Sequence, residues 1–323
     1  MRNLFSFYFF IFILFIISVK SISICYDTDQ CKIDFQTNYT KCGGTYCGRK
    51  YKNGEVTSLS CSSCQKGYRT DGYVCLPCKK NLTGYQWSYF VFFPVLITSY
   101  LIIITIFSTN VKRERLSHIV FSVVETVIAF FVTTITFPPY GNVKVTTCNS
   151  TALADWYTGF HNSNDNHCMS EAVFPLWSMV LAFFGYWFIF FMICRVIIWR
   201  YIEKAFFTTI FLRSIHPIPF FLLGFLLLSG LIYYSFSWIL LIYSVSVDVI
   251  FYLYTFTKKK QIVGSYFLRY ALLALSLYAI TQQTGLDNNL YLIVVLVAPL
   301  IISPLYYFTQ ILTNPDDWEI TDP

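Results

Sequence analysis

The sequence predicts an all-α polytopic membrane protein, with seven transmembrane helices preceded by a signal peptide and a small disulfide-rich luminal domain. Three observations predict it. Only 12% of the 323 residues are charged, whereas 56% are hydrophobic and 20% aromatic, and the mean hydropathy is +0.55. A soluble domain carries about a quarter of its residues as charges, because it must wet its surface. Apolar runs of bilayer-spanning length, roughly 20 residues each, recur between positions 88 and 312, and eight cysteines are gathered ahead of them. So many crossings leave little chain for a soluble catalytic domain.

Residues 1–23 read as a secretory signal peptide: Arg2, an apolar stretch from Leu4 to Val19, then the small residues Ser21 and Ser23. An uncleaved signal anchor is the alternative. Either outcome places Cys25 onward in the lumen.

Residues 24–87 form the expected luminal domain, with Cys25, Cys31, Cys42, Cys47, Cys61, Cys64, Cys75 and Cys78. Paired thiolates at the Cys61/Cys64 and Cys75/Cys78 spacing suit a tetrahedral zinc site. The compartment decides against zinc, because thiols pair in an oxidising lumen and a block this poor in aliphatic residues needs covalent staples. Four disulfides within the block are therefore expected, with no cofactor and no metal. Eight cysteines admit on the order of a hundred pairings, and sequence does not choose among them. Sequons at Asn38, Asn81 and Asn149 are candidate N-glycosylation sites.

The bundle occupies 88–312, with spans expected at 88–108, 117–137, 173–198, 216–233, 236–256, 262–280 and 290–312. The fourth and fifth are nearly continuous in apolar character. They are divided at Tyr233–Ser237 because one helix of 40 residues is about twice as long as a bilayer is thick. Pro94, Pro299 and Pro304 are expected to kink the first and seventh spans. Basic residues orient the bundle. Lys112, Arg113 and Arg115 follow the first span, Arg200, Lys204 and Arg213 the third, and Lys258, Lys259 and Lys260 the fifth. By the positive-inside rule these loops are cytosolic, so all three sequons fall in the lumen and the acidic tail, 313–323, in the cytosol. The net charge of +6 thus reports orientation, and nucleic acid is not an expected partner. The stretch from Lys112 to Val120 sets basic residues ahead of aliphatic ones, as kinase-docking peptides do.

Glu125, Arg195, Asp248 and Arg269 lie in or at the ends of spans, where an ionised group is costly unless paired or wetted. Arg195 and Arg269 are near enough to cytosolic ends to snorkel, leaving Glu125 and Asp248 as deep acids. The long luminal loop, 138–172, holds Cys148 and Cys168, expected to pair with each other across its base, and Cys194 is left as a buried thiol. His161, Asp165, His167 and Glu171 are read as solvated loop residues. Against a seven-span receptor with a Cys-rich ligand-binding domain, the third span ends in Cys194-Arg195-Val196 in place of an acid-Arg-Tyr trio. Against a transporter or membrane enzyme, the spans carry no paired His/Asp set, P-loop or Ser/His/Asp arrangement.

Asp155-Trp156-Tyr157-Thr158, then His167-Cys168, then Glu171 through Pro175 to Trp177, resembles the signature of the Jun-N-terminal-kinase-associated membrane proteins, the JAMP family. Tyr46-Cys47-Gly48-Arg49, the Cys61 to Thr70 segment, Cys75-x-Pro77-Cys78 and Tyr85-x-Trp87 are similar to that family's luminal N-terminus, and Tyr307 to Pro315 to its C-terminal end. The resemblance covers about Cys42 to Pro315. It implies a non-enzymatic, glycosylated seven-span scaffold of the endoplasmic reticulum membrane. Its implied partners are proteasome subunits, membrane-anchored RING ubiquitin ligases and a stress-activated MAP kinase, with membrane lipid around the spans. It also implies kinase binding by the C-terminal region, which here is the short acidic segment from Asn314 to Pro323.

Overall fold

The computed structural model describes residues 39–44, 46–52, 55–108, 112–158, 168, 171–201, 215–258, 263–284 and 297. The expected signal peptide, Cys25, Cys31, Asn38, His161, Asp165, His167, the seventh span with its prolines, and the tail lie outside the described residues. The chain divides into two compact units, with the boundary between Tyr234 and Ser235.

The first unit begins with a small sheet built from β1 (Cys47–Lys52), β2 (Glu55–Val56), β3 (Ser62–Ser63), β4 (Tyr68–Thr70) and β5 (Val74–Pro77). Its order is β2-β1-β5-β4, with β3 also paired to β1. The β1–β5 pair is parallel, Arg49 opposite Val74, and the others are antiparallel. Strands of two to six residues bury too little apolar surface to hold a domain alone. Polar and covalent ties compensate. Arg49, 7% exposed, donates through its guanidinium to the carbonyls of Thr40 and Leu59 at 2.8 and 3.0 Å, joining two loops to the central strand. Gly48 lets β1 approach β5, because a Cβ there would lie 2.9 Å from both Cys75 Sγ and Thr70 Oγ1.

A second sheet pairs β6 (Lys80–Asn81) with β7 (Thr146–Thr147). It joins the strand that leads into the first long helix to the strand that follows the second. Helices α1 (Gly84–Ser108), α2 (Lys112–Thr136) and α3 (Leu176–Tyr201) pack together behind it. Pro94 lies inside α1, and the helix continues past it. The interface is aromatic: Phe90 stacks on Phe130 at 4.9 Å between ring centroids and meets Phe183 edge-on at 6.1 Å.

The fourth long helix, α4, runs unbroken from Ile218 to Lys258, 41 residues. This corrects the expected turn at Tyr233–Ser237. At about 1.5 Å rise per residue the helix is about 60 Å long, roughly twice the hydrocarbon thickness. No proline or glycine lies between Tyr233 and Ser237 to stop the hydrogen-bond ladder, and a helical serine can satisfy its hydroxyl within the helix, as Ser244 does on the Leu241 carbonyl at 2.8 Å. The division between the two compact units nevertheless falls inside that same stretch. The second unit contains the rest of α4 and α5 (Val263–Thr284), tied by Ser237 to Gln283 at 2.6 Å and Arg269 to Asp248 at 2.7 Å.

Among the described residues, four helices are long and apolar enough to cross a membrane: Gly84–Phe107, Leu116–Thr136, Leu176–Arg195 and Ile218–Phe251.

Candidate functional site: the cap over the helix ends

The loop that follows α2 does not close on itself. Cys148 pairs with Cys78 and Cys168 with Cys47, so both loop cysteines reach back across 70 and 121 residues to the N-terminal block. This overturns the pairing of Cys148 with Cys168 and the expectation that the block's cysteines pair only among themselves. The remaining described pairs, Cys42–Cys61 and Cys64–Cys75, are internal to the block. Cys194 is a free thiol. The reason is topological: β6–β7 sets Lys80 opposite Thr147, which brings Cys78 beside Cys148.

Asp155 is the hub of the cap. It sits in a 3-10 turn, Leu153–Tyr157, and is 3% exposed. Its Oδ2 accepts from the backbone N–H groups of Thr151 and Ala152 at 2.8 and 3.2 Å and from Thr151 Oγ1 at 3.1 Å. Arg69 on β4 donates to the same oxygen at 3.0 Å, and Tyr46 donates to Oδ1 at 3.0 Å. Arg69 also donates to Thr151 Oγ1 at 2.8 Å and to the Asn149 carbonyl. One carboxylate therefore joins the sheet to the loop turn. Burial pushes the Asp155 carboxyl upward, but the Thr151 amide, the Arg69 guanidinium and the Ala152 amide outweigh it and hold it below the ordinary aspartate value. Burial and the neighbouring Asp155 charge push the Tyr46 phenol up to about 12, so Tyr46 stays a donor.

Among the described signature residues, Trp156 braces this hub, while Glu171 and Pro175 stand at the start of α3. Trp156 donates its indole N–H to Ser150 Oγ at 3.1 Å and packs on Tyr233 with centroids 4.7 Å apart, and Tyr85 donates to the Tyr233 carbonyl at 2.6 Å. Thr158 is 3% exposed. Glu171 Oε1 accepts the Ser178 N–H at 2.9 Å, satisfying an orphan donor in the first turn of α3. Burial raises the Glu171 carboxyl despite that bond. Pro175 precedes α3, and its carbonyl receives the Met179 N–H at 2.7 Å. Of the sequons, Asn81 lies in β6 and Asn149 beside the hub, both exposed.

Gly230 of α4 passes directly under the turn: a Cβ there would lie 2.7 Å from Leu153 Cδ1 and 3.1 Å from Trp156 Cβ. Gly230→Ala is therefore expected to lower the thermal unfolding midpoint of the detergent-solubilised protein. A cost of about 1–3 kcal/mol follows from overpacking, whereas Gly224→Ala, where a Cβ meets nothing within 4 Å, is expected to leave it unchanged.

Sequence reading missed a second polar cluster. His118, Ser122 and Glu125 follow an i, i+4, i+7 spacing, so they share one face of α2. Arg195 of α3 donates to His118 Nδ1 at 3.0 Å and Ser122 Oγ at 2.9 Å, and lies 3.4 Å from Glu125 Oε2. Arg195 is 2% exposed and Glu125 0%. Arg195 thus does not snorkel but is paired inside the bundle, and Arg269 likewise pairs with Asp248. The Asp248 side chain is half exposed and meets Arg269 at 2.7 Å. The face periodicity was readable in the sequence; its partner on another helix was not. Among the described residues no group of three His, Cys, Asp or Glu is placed to hold a metal ion.

A cysteine-stapled cap beside apolar helices of membrane-spanning length defines a membrane protein, and Asp155 and Trp156 make hydrogen bonds that hold that cap together. The model of the JNK1/MAPK8-associated membrane protein family matches residues 42–315, and the chain belongs to that family. It is 26% identical to the JNK1/MAPK8-associated membrane proteins of Mus musculus and Homo sapiens over 295 residues, which cover 85% of this chain and 94% of each relative. It is 28% identical over 206 residues to the Caenorhabditis elegans homolog, covering 58% of this chain and 60% of that protein. No solved structure matches.

Proposed function

We propose that this protein is a non-enzymatic, multi-pass scaffold of the endoplasmic reticulum membrane. It recruits proteasome subunits and membrane-anchored RING ubiquitin ligases to misfolded clients, and it associates with a stress-activated MAP kinase. Membership of the family across residues 42–315 carries the reading, and the relatives' names supply the kinase association. The architecture supports it. Asp155, Trp156 and Glu171 spend their polar groups on holding the cap together, as residues of a structural platform do. In this reading the cap is luminal, a signal peptide precedes it, Asn38, Asn81 and Asn149 carry glycans, and the basic loops that follow the first and third spans are cytosolic. Lys112 to Val120 belongs to α2, so a kinase would meet it as a helix rather than as an extended docking peptide.

Affinity purification of the full chain from mild detergent tests the proposal. Proteasome and ubiquitin-ligase subunits are the expected co-purifying proteins. Recovery of a heterotrimeric G protein without them would favour a receptor and overturn the scaffold.

A further inference from the structure

The residues between α2 and β7 form a turn mounted on the end of a membrane helix. The Gly141 N–H donates to the Ile135 carbonyl at 3.0 Å, inside the last turn of α2, and the Asn142 and Thr146 N–H groups donate to the Pro139 and Pro138 carbonyls at 3.1 and 3.2 Å. The turn therefore folds back onto the helix end and holds Tyr140 near that level rather than far above it. Tyr140 is 79% exposed and Val143 42%. Lys144, in the same turn, is exposed. The Leu82 N–H donates to the Val145 carbonyl at 3.2 Å, which sets the turn beside the other membrane entry, where Lys79 and Lys80 are also exposed just before α1. Neither 138–147 nor 78–84 contains an acidic residue. An exposed tyrosine, an exposed valine and three lysines with no counter-charge in either segment thus stand at the end of two apolar helices.

We propose that this patch is a lipid-headgroup contact that seats the cap on the membrane surface. Tyr140 and Val143 enter the interfacial layer, where an aromatic ring with one polar edge is most stable. Lys79, Lys80 and Lys144 bind the phosphates of the lipids around them. The occupant follows from position: spans ending at Thr136 and beginning at Gly84 put the headgroup layer at the height of the patch. The inference rests on the chain crossing a membrane, not on which compartment the cap faces or on any recruited partner.

The test uses the full chain in nanodiscs containing phosphatidylcholine and phosphatidylserine, and in a phosphate-free maltoside detergent. Lysines are labelled with a water-soluble acylating reagent and read by mass spectrometry. Lys79, Lys80 and Lys144 are expected to react about fivefold more slowly in nanodiscs, while exposed Lys50 of β1 reacts equally in both. A Tyr140→Ser/Val143→Ser variant is expected to lose most of that protection with Lys50 unchanged, which also reports that the cap is folded. Equal reactivity of the three lysines in both media overturns the proposal. So does protection in detergent on adding inorganic phosphate alone, since a free anion would then account for the binding. Retention of full protection by the double variant overturns the anchoring role of Tyr140 and Val143.

Discussion

Replacing Asp155 by alanine is expected to release the loop turn from the sheet and to cost about 3 kcal/mol, read as a lowered unfolding midpoint and faster proteolysis of the cap in detergent. The carboxylate accepts from Arg69, Tyr46 and two backbone N–H groups, and each charge-assisted bond contributes about 1.5–3 kcal/mol before partners readjust. Arg69 is 27% exposed in its side chain, so water rescues the guanidinium and the total falls well short of the sum. The pH dependence has a definite sign. The folded carboxyl lies below its unfolded value. Its stabilisation is complete above the ordinary aspartate value, about 3.9, and is lost as pH falls through the lower folded value. Glu171, shifted upward, acts in the opposite sense. Comparing wild type with Asp155→Asn cancels Glu171, and the stability difference between them is expected to be larger at pH 7 than at pH 3.

Replacing Glu125 by leucine alone is expected to cost about 3–5 kcal/mol, because it leaves the buried Arg195 without its counter-charge. The double variant Glu125→Leu/Arg195→Leu is expected to recover most of that loss, since two apolar side chains replace a pair whose desolvation is itself costly. Ser122→Ala removes one neutral acceptor and is expected to cost well under either, as interhelical hydrogen bonds in membranes average about 0.6 kcal/mol. Unfolding in a denaturing-detergent titration orders the three variants. A loss in the double variant equal to the sum of the losses in Glu125→Leu and Arg195→Leu would show that Arg195 and Glu125 act independently.

The helices were legible because the apolar runs are long and bounded by polar segments, and α1, α2 and α3 fall close to those runs. The expected break near Tyr234 failed locally, because Tyr233–Ser237 contains no residue that forbids helix. The cap was legible in kind but not in connectivity. Cys148 and Cys168 are near each other in sequence, and nearness favoured their pairing, but the β6–β7 ladder and the Asp155 hub bring partners from far earlier in the chain. Nothing in a one-dimensional pattern reports a two-residue ladder. Asp155, Trp156 and Glu171 were recognisable as signature residues, yet their role as hub, brace and helix cap depends on Arg69, Tyr233 and Ser178, each on a different element. Arg195 was misplaced because proximity to a helix end allows snorkelling, whereas the His118/Ser122/Glu125 face offers it a buried site.

The central claim is that the long loop is locked covalently to the N-terminal block, making one cap from two distant segments. A protease site inserted at 109–111, between α1 and α2, separates Cys47 and Cys78 from Cys148 and Cys168. After cleavage and denaturation without reductant, the two fragments are expected to migrate together, to separate when reductant is added, and to separate without it in the Cys47→Ser/Cys78→Ser variant. Separation of the wild-type fragments without reductant would place the loop disulfide within the loop and contradict the account.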